Sequence, residues 1–175
     1  MSLKELLADG RIRVHRTSAK EVADLLRVVD RDLADAAVPQ LSTDRRFATA
    51  YNAALQMATI ALHASGYRAA GAGHHWATFH VLPEILGPQA QSRADYLDNC
   101  RSKRNITDYD RAGEISERDA KEMLAEARTF REELLGWLKK RHPTLAPRGG
   151  TKNQRADAGR SETPPGDTAK RGTQE

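Results

Sequence analysis

The run Arg104-Asn105-Ile106-Thr107-Asp108-Tyr109, preceded by Arg101 and Lys103, is where hydrogen-bonding and cationic chemistry is most concentrated in this chain. Upstream of it, Ala90, Ala94, Leu97, Cys100 and Arg104 fall on one helical stripe, so a helix with a small, apolar inner face ends on a guanidinium. A guanidinium so placed is costly unless it meets a carboxylate, carbonyl groups or an anionic ligand. Arginine binds two phosphate oxygens through its fork. With Asn105, Thr107, Asp108 and Tyr109 beside it and Arg101 and Lys103 adding charge, the cluster has the chemistry to hold a phosphodiester. The alternative is an internal salt bridge from Arg104 to Asp108 or Asp110 that only fixes the adjacent bend. The residues by themselves leave both open, and ion-pair networks commonly mimic sites.

The histidines offer a second set. His75 and His80 are five apart and His74 and His80 six, neither of which is the i, i+4 spacing that places two imidazoles on one helix face. The expectation is therefore no metal centre there. His63 falls near the end of a helix, where a cation suits the dipole. Gly71-Ala72-Gly73 lacks the third glycine and the preceding strand of a phosphate-cradling turn. The basic stretch Arg11, Arg13, His15, Arg16 reads as a solvated connector that could touch nucleic acid.

Helices position these residues. A short element covers Leu3 to Ala8, and Arg11 to Thr17 is irregular or extended. Ser18 with Glu21 three residues on forms a capping box for a helix with Val22, Leu25, Leu26, Val29, Leu33 and Ala36 on one face, closed by Pro39. A second helix runs from Ser42 or Thr43 to Ser65, apolar on nearly all sides and hence central. His74 to Leu86 is helical with a kink or shortening at Pro83, Gln89 to Asn105 carries the stripe above, and Thr107 to Gly113 is a polar loop. Ser116, with Asp119 three on, opens a last helix that ends near Arg141, where Lys139, Lys140 and Arg141 suit the dipole. Four or five helices with short connections and no credible sheet predict an all-α, up-down bundle.

Bulk properties fit this. The chain has 175 residues with abundant alanine and 5% aromatic residues, which suits closely packed helices. One cysteine, Cys100, excludes an intramolecular disulfide and a cysteine-built zinc site. No apolar run approaches the ~20 residues that span a bilayer, and Lys4, Glu5 and Asp9 interrupt any leader-like stretch. A cytoplasmic protein with no membrane partner is expected. The formal charge is +4, of which +2 belongs to residues 143–175. The folded part is thus only mildly basic. That segment has four prolines, five glycines and one large apolar residue, Leu145, too little to offset its ordering entropy. The expected division is a helical domain over 1–142 and a disordered tail over 143–175.

The segments LLADGRI, SAKEVADLLRVVDRDLADA, AYNAALQMATIALHASGYRAAGAGHH and YLDNCRSKRNITDYD, followed by a capped final helix, together resemble the HEPN superfamily over about Leu3 to Arg141, nearest its small actinobacterial-type branch. The resemblance implies a four- to five-helix bundle that homodimerises and, in active members, a metal-independent ribonuclease without cofactors. It places the family's arginine at Arg104, its polar residue at Asn105 and its histidine position at Tyr109. Tyrosine, with an ordinary pKa of about 10, is a poor base at neutral pH, and losing general acid–base help costs roughly 10²–10⁴-fold in rate. The implied catalytic set is Arg104, Asn105, Asp108 and Tyr109, with Arg101, Lys103 and Arg104 binding nucleic acid. The expectation is a module of a toxin–antitoxin, defence or stress system that binds RNA or a partner protein such as a minimal nucleotidyltransferase, for which Tyr109 is a candidate acceptor. The alternative is an endoribonuclease using Arg104 and Asn105 with Tyr109 or Asp108.

Overall fold

A computed structural model describes residues 1–71, 73–109 and 115–147, with side chains through Lys103 in the middle segment. The elements in chain order are α1 (Leu3–Ala8), β1 (Ile12–Val14), α2 (Ala19–Ala36), α3 (Thr43–Ala64), β2 (Tyr67–Ala69), α4 (His74–His80), α5 (Leu82–Leu86), α6 (Gln91–Tyr109) and α7 (Glu117–Arg141). The protein is an all-α bundle carrying one small ribbon.

Three hydroxyl caps set the long helices. Ser18, Ser42 and Ser116 each accept from the backbone N–H three residues on, satisfying a donor that the first turn leaves orphaned. At α7 the box is reciprocal, Asp119 returning to the Ser116 N–H. α3 is the hub. Phe47, Tyr51, Ala54, Leu55, Met57, Ala58, Ile60 and Leu62 are all buried, and they cover every side of the helix. α2 and α7 pack along it, while α4, α5 and α6 close the remainder. Its alanines let neighbours approach closely. α6 turns Ala94, Leu97 and Cys100 inward, the stripe expected from sequence.

Three details depart from the sequence reading. The connector after α1 pairs antiparallel with the exit of α3, Ile12 opposite Ala69, Arg13 opposite Arg68 and Val14 opposite Tyr67. No sheet was expected, because three-residue strands are too short for alternation to show and their partners lie far apart in sequence. Leu6, Ile12, Leu62 and Val81 form a small satellite core that fastens α1 and this ribbon to the bundle. Next, the helix over 74–86 is divided at Val81, and Pro83 sits in the first turn of α5, where its missing N–H has no helical partner to lose. Finally, α6 stays helical through Tyr109, so Thr107 to Tyr109 is helix where a loop was expected. Beyond Arg141, the Leu145 and Ala146 N–H groups donate to the His142 carbonyl, and both side chains rest on the core. The remainder of the expected tail, 148–175, lies outside the described residues. Among those described, no helix is long and apolar enough to cross a membrane.

Candidate functional site

The end of α6 is one candidate. Its helix is clamped to α7 by Arg93, whose Nε donates to Glu126 at 2.5 Å and whose Nη1 donates to Glu133 at 2.6 Å, with the guanidinium 4.6 Å above the Phe130 ring. Two turns later, Arg101 pairs with Asp98 at 2.7 Å on its own helix. The Lys103 ammonium reaches Asp119 of α7 at 2.7 Å. Lys103 and then Ser116 hold the Asp119 carboxyl down at about 2, and the same bond raises Lys103. Both described cations of the expected nucleic-acid set are thus engaged within the fold. The side chains of Arg104, Asn105, Asp108 and Tyr109 lie outside the described residues. The backbone places positions 104 and 108, and positions 105 and 109, one helical turn apart.

The second candidate is a polar cleft of about 660 Å³ between the ribbon, α2, α3 and α4. Arg13 and Arg68, directly opposed across the ribbon, both line it. Both are exposed, and among the described residues neither has a carboxylate partner. Asn52, Gln56 and Thr59 of α3 add hydrogen-bonding groups to the wall. At one end, Asn52 donates to buried Asp32, which Arg31 also grips through Nε at 3.0 Å and Nη2 at 2.8 Å.

At the other end, three residues from three elements converge. Glu21 accepts from the Thr17 hydroxyl at 2.9 Å and lies 3.0 Å from His15 Nε2 through each oxygen. His63 Nδ1 comes within 3.1 Å of the same carboxylate, but outside hydrogen-bond geometry, so this buried nitrogen has no hydrogen-bond partner among the described residues. The two imidazole rings are 4.4 Å apart. Burial, then the neighbouring His15, push His63 below the ordinary 6.5, outweighing the pull of Glu21 in the other direction. Burial alone would raise Glu21, but the Thr17 and His15 bonds and the nearby imidazoles bring it below its ordinary 4.5. Glu21 was expected to fold back on its own cap. Only the Ser18 half of that box forms, because the carboxylate is drawn to the histidines instead.

The other histidines divide. His74 and His75 stand at the α4 start and line the cleft, with His75 Nδ1 3.4 Å from the Tyr51 hydroxyl. His80 lies elsewhere, stacked on Trp76 at 4.6 Å with Nε2 2.9 Å from the N-terminal amine.

A profile of the SAV_6107-like HEPN family matches residues 34–134. This chain is a HEPN protein. The match spans more than half of the chain and takes in α3, the short helices α4 and α5, all of α6 and most of α7, while α1 and nearly all of α2 precede it. Comparison with curated proteins and with solved structures gives no match. The HEPN segment therefore includes the α6 end and one wall of the cleft, whereas His15 and Glu21 precede it. Sequence reasoning missed the grouping of His15, Glu21 and His63. A signal was present only in part: the cap position of Glu21 and the helix-end position of His63 were both visible, but not that β1 brings His15 between them.

Proposed function

We propose that this HEPN protein is an RNA-binding module of a toxin–antitoxin, defence or stress system, with cleavage weak or absent. The observation that carries the reading is the Arg13–Arg68 pair above the cleft. Like charges directly opposite each other in an antiparallel ladder destabilise it by roughly 0.2–1 kcal/mol. Here they stand without a carboxylate among the described residues, beside amide and hydroxyl groups. An anion bridging them removes the repulsion, and a phosphate oxygen pair suits two guanidinium forks. The strand's bases would then meet the His74 and His75 rings at the α4 start, since ring faces stack on bases with little sequence preference.

In this reading the α6 end supplies a second phosphate contact, Arg104 with Asn105, and Tyr109 stands where active family members carry the proton-transferring histidine. A homodimer whose two-fold axis passes near the α6 ends would bring two such contacts together. The protein partner that fits the family resemblance is a minimal nucleotidyltransferase. The second reading, a metal-independent endoribonuclease, is favoured by positions 104 and 108 lying one helical turn apart on the α6 backbone.

One experiment separates them. Labelled single-stranded RNA is incubated with the purified full chain in chelator at low salt, following both anisotropy and fragment length. Binding without cutting is expected. Cutting that Arg104→Ala abolishes would establish the second reading, and absence of binding at low salt would refute both.

A further inference from the structure

The convergence of His15, Glu21 and His63 at the end of the cleft has a chemistry that RNA binding does not use. The three side chains offer one ligand atom each, His15 Nε2, His63 Nδ1 and a Glu21 oxygen, all within 4.8 Å of one another. We propose that these three residues form a zinc-class divalent metal site, with the fourth position taken by water from the cleft.

The distances fit. Tetrahedral zinc with bonds of roughly 2.0–2.2 Å holds neighbouring ligand atoms roughly 3.3–3.6 Å apart. Both imidazole nitrogens lie near the same Glu21 oxygen, Oε1, at 3.0 and 3.1 Å, and no two of the three atoms are more than 4.8 Å apart, so closing on an ion takes side-chain adjustments of roughly 1–2 Å rather than backbone movement. Two imidazoles and one carboxylate with an open position is a ligand set that zinc takes in proteins. The buried His63 Nδ1 faces the Glu21 carboxylate at 3.1 Å outside hydrogen-bond geometry, a position from which its lone pair could be given to an ion held between the two. Glu21 is already ionised and its carboxylate is oriented by the Thr17 hydroxyl, the outer-shell support that metal-binding carboxylates usually have.

The three ligands come from the connector after β1, the first turn of α2 and the last turn of α3. One ion would therefore tie the ribbon to the helix pair and fix the wall that carries Arg13 and Arg68. The histidine spacing within α4 carried no such signal, and this site uses none of those residues.

The full chain, stripped with chelator and dialysed, is titrated with Zn²⁺ by calorimetry and with Co²⁺ by visible absorption. One equivalent should bind, with the intense cobalt band of a four-coordinate site and a raised thermal midpoint. Glu21→Gln should weaken binding by more than the roughly 10–100-fold typical of losing an outer-shell partner. The α2 cap survives that change, because Ser18 accepts from the residue 21 backbone N–H. His63→Gln should do the same, and His74→Gln should bind like the parent. Circular dichroism of the metal-free variants confirms their fold. No stoichiometric binding at micromolar protein, parent-like binding by both Glu21→Gln and His63→Gln, or loss of binding in His74→Gln would each overturn the site. None of these readouts depends on RNA, so the two proposals fail separately.

Discussion

Replacing Arg93 with methionine tests the contact that holds α6, and thus the family motif, against α7. The Arg93 side chain is only 10% exposed and carries two charge-assisted bonds, to Glu126 and Glu133. Burial alone would lower its pKa, but the two carboxylates raise it. Hydrogen bonds to charged groups contribute about 1.5–3 kcal/mol each, and the guanidinium over Phe130 adds about 1 kcal/mol. Part of this is returned on substitution. Glu126 and Glu133 are 29% and 55% exposed, so once released they recover water, and the methionine stem keeps much of the packing. A net loss of about 2 kcal/mol follows, which lowers the thermal midpoint by roughly 4–8 °C for a chain of this size. The assay is urea unfolding followed by circular dichroism, where the midpoint should fall with an unchanged slope. Arg118→Met is the reference, because Arg118 is 86% exposed in its i, i+4 pair with Glu122 and should cost under about 0.5 kcal/mol. If Arg93→Met costs no more than Arg118→Met, the clamp does not hold α6.

Two further outcomes follow from the buried titratable groups. His63, lowered from 6.5 by burial and by His15, with Arg68 also opposing its charge and Glu21 favouring it, takes up its proton at lower pH in the fold than in the unfolded chain. Its contribution is therefore complete above pH 6.5 and is lost as pH falls below it. Glu21, lowered from 4.5, extends the loss below pH 4.5 by the same logic. Thermal midpoints of metal-free protein should decline from pH 7 to 5, and the decline should flatten in His63→Gln. Burial pushes the Cys100 thiol above its ordinary 9.0 despite the Tyr96 bond that lowers it, and the residue is 3% exposed. Maleimide labelling of the native chain at pH 7.5 should be slower than in urea by on the order of a hundredfold or more, since the thiolate is scarce and access needs local opening. Comparable rates in the two states would show an open helix packing.

The helices were legible because their signals are local. Ser18, Ser42 and Ser116 sit one residue before an amphipathic or apolar run, and Pro39 and Gly66 punctuate the exits, so α2, α3 and α7 begin and end within a residue or so of expectation. The ribbon was not legible because its pairing energy is non-local. Arg13 meets Arg68 only because α1 and the satellite core of Leu6, Ile12, Leu62 and Val81 fold the connector back. The histidine–carboxylate cluster was hidden for the same reason. Each of its members has a sufficient local explanation, a connector histidine, a capping glutamate and a helix-end histidine, and only tertiary structure unites them. At the α6 end, the pattern of small inward residues gave the helix correctly, but the polar composition of Thr107, Asp108 and Tyr109 suggested a loop where the backbone continues as helix. Propensity there is weak and context prevails. The engagement of Lys103 with Asp119 was likewise invisible, since α7 supplies the partner.

RNA binding in this proposal rests on Arg13 and Arg68 gripping one phosphate together. Affinity for a single-stranded RNA oligonucleotide should be measured across a salt series for the parent chain and for the Arg13→Ala/Arg68→Ala double variant. Each phosphate neutralised on a single strand contributes about 0.7 to the slope of log affinity against log salt, and the two guanidinium groups share one phosphate, so the slope should fall by about 0.7 in the double variant. An unchanged slope, with affinity equal to the parent at every salt concentration, would contradict the account.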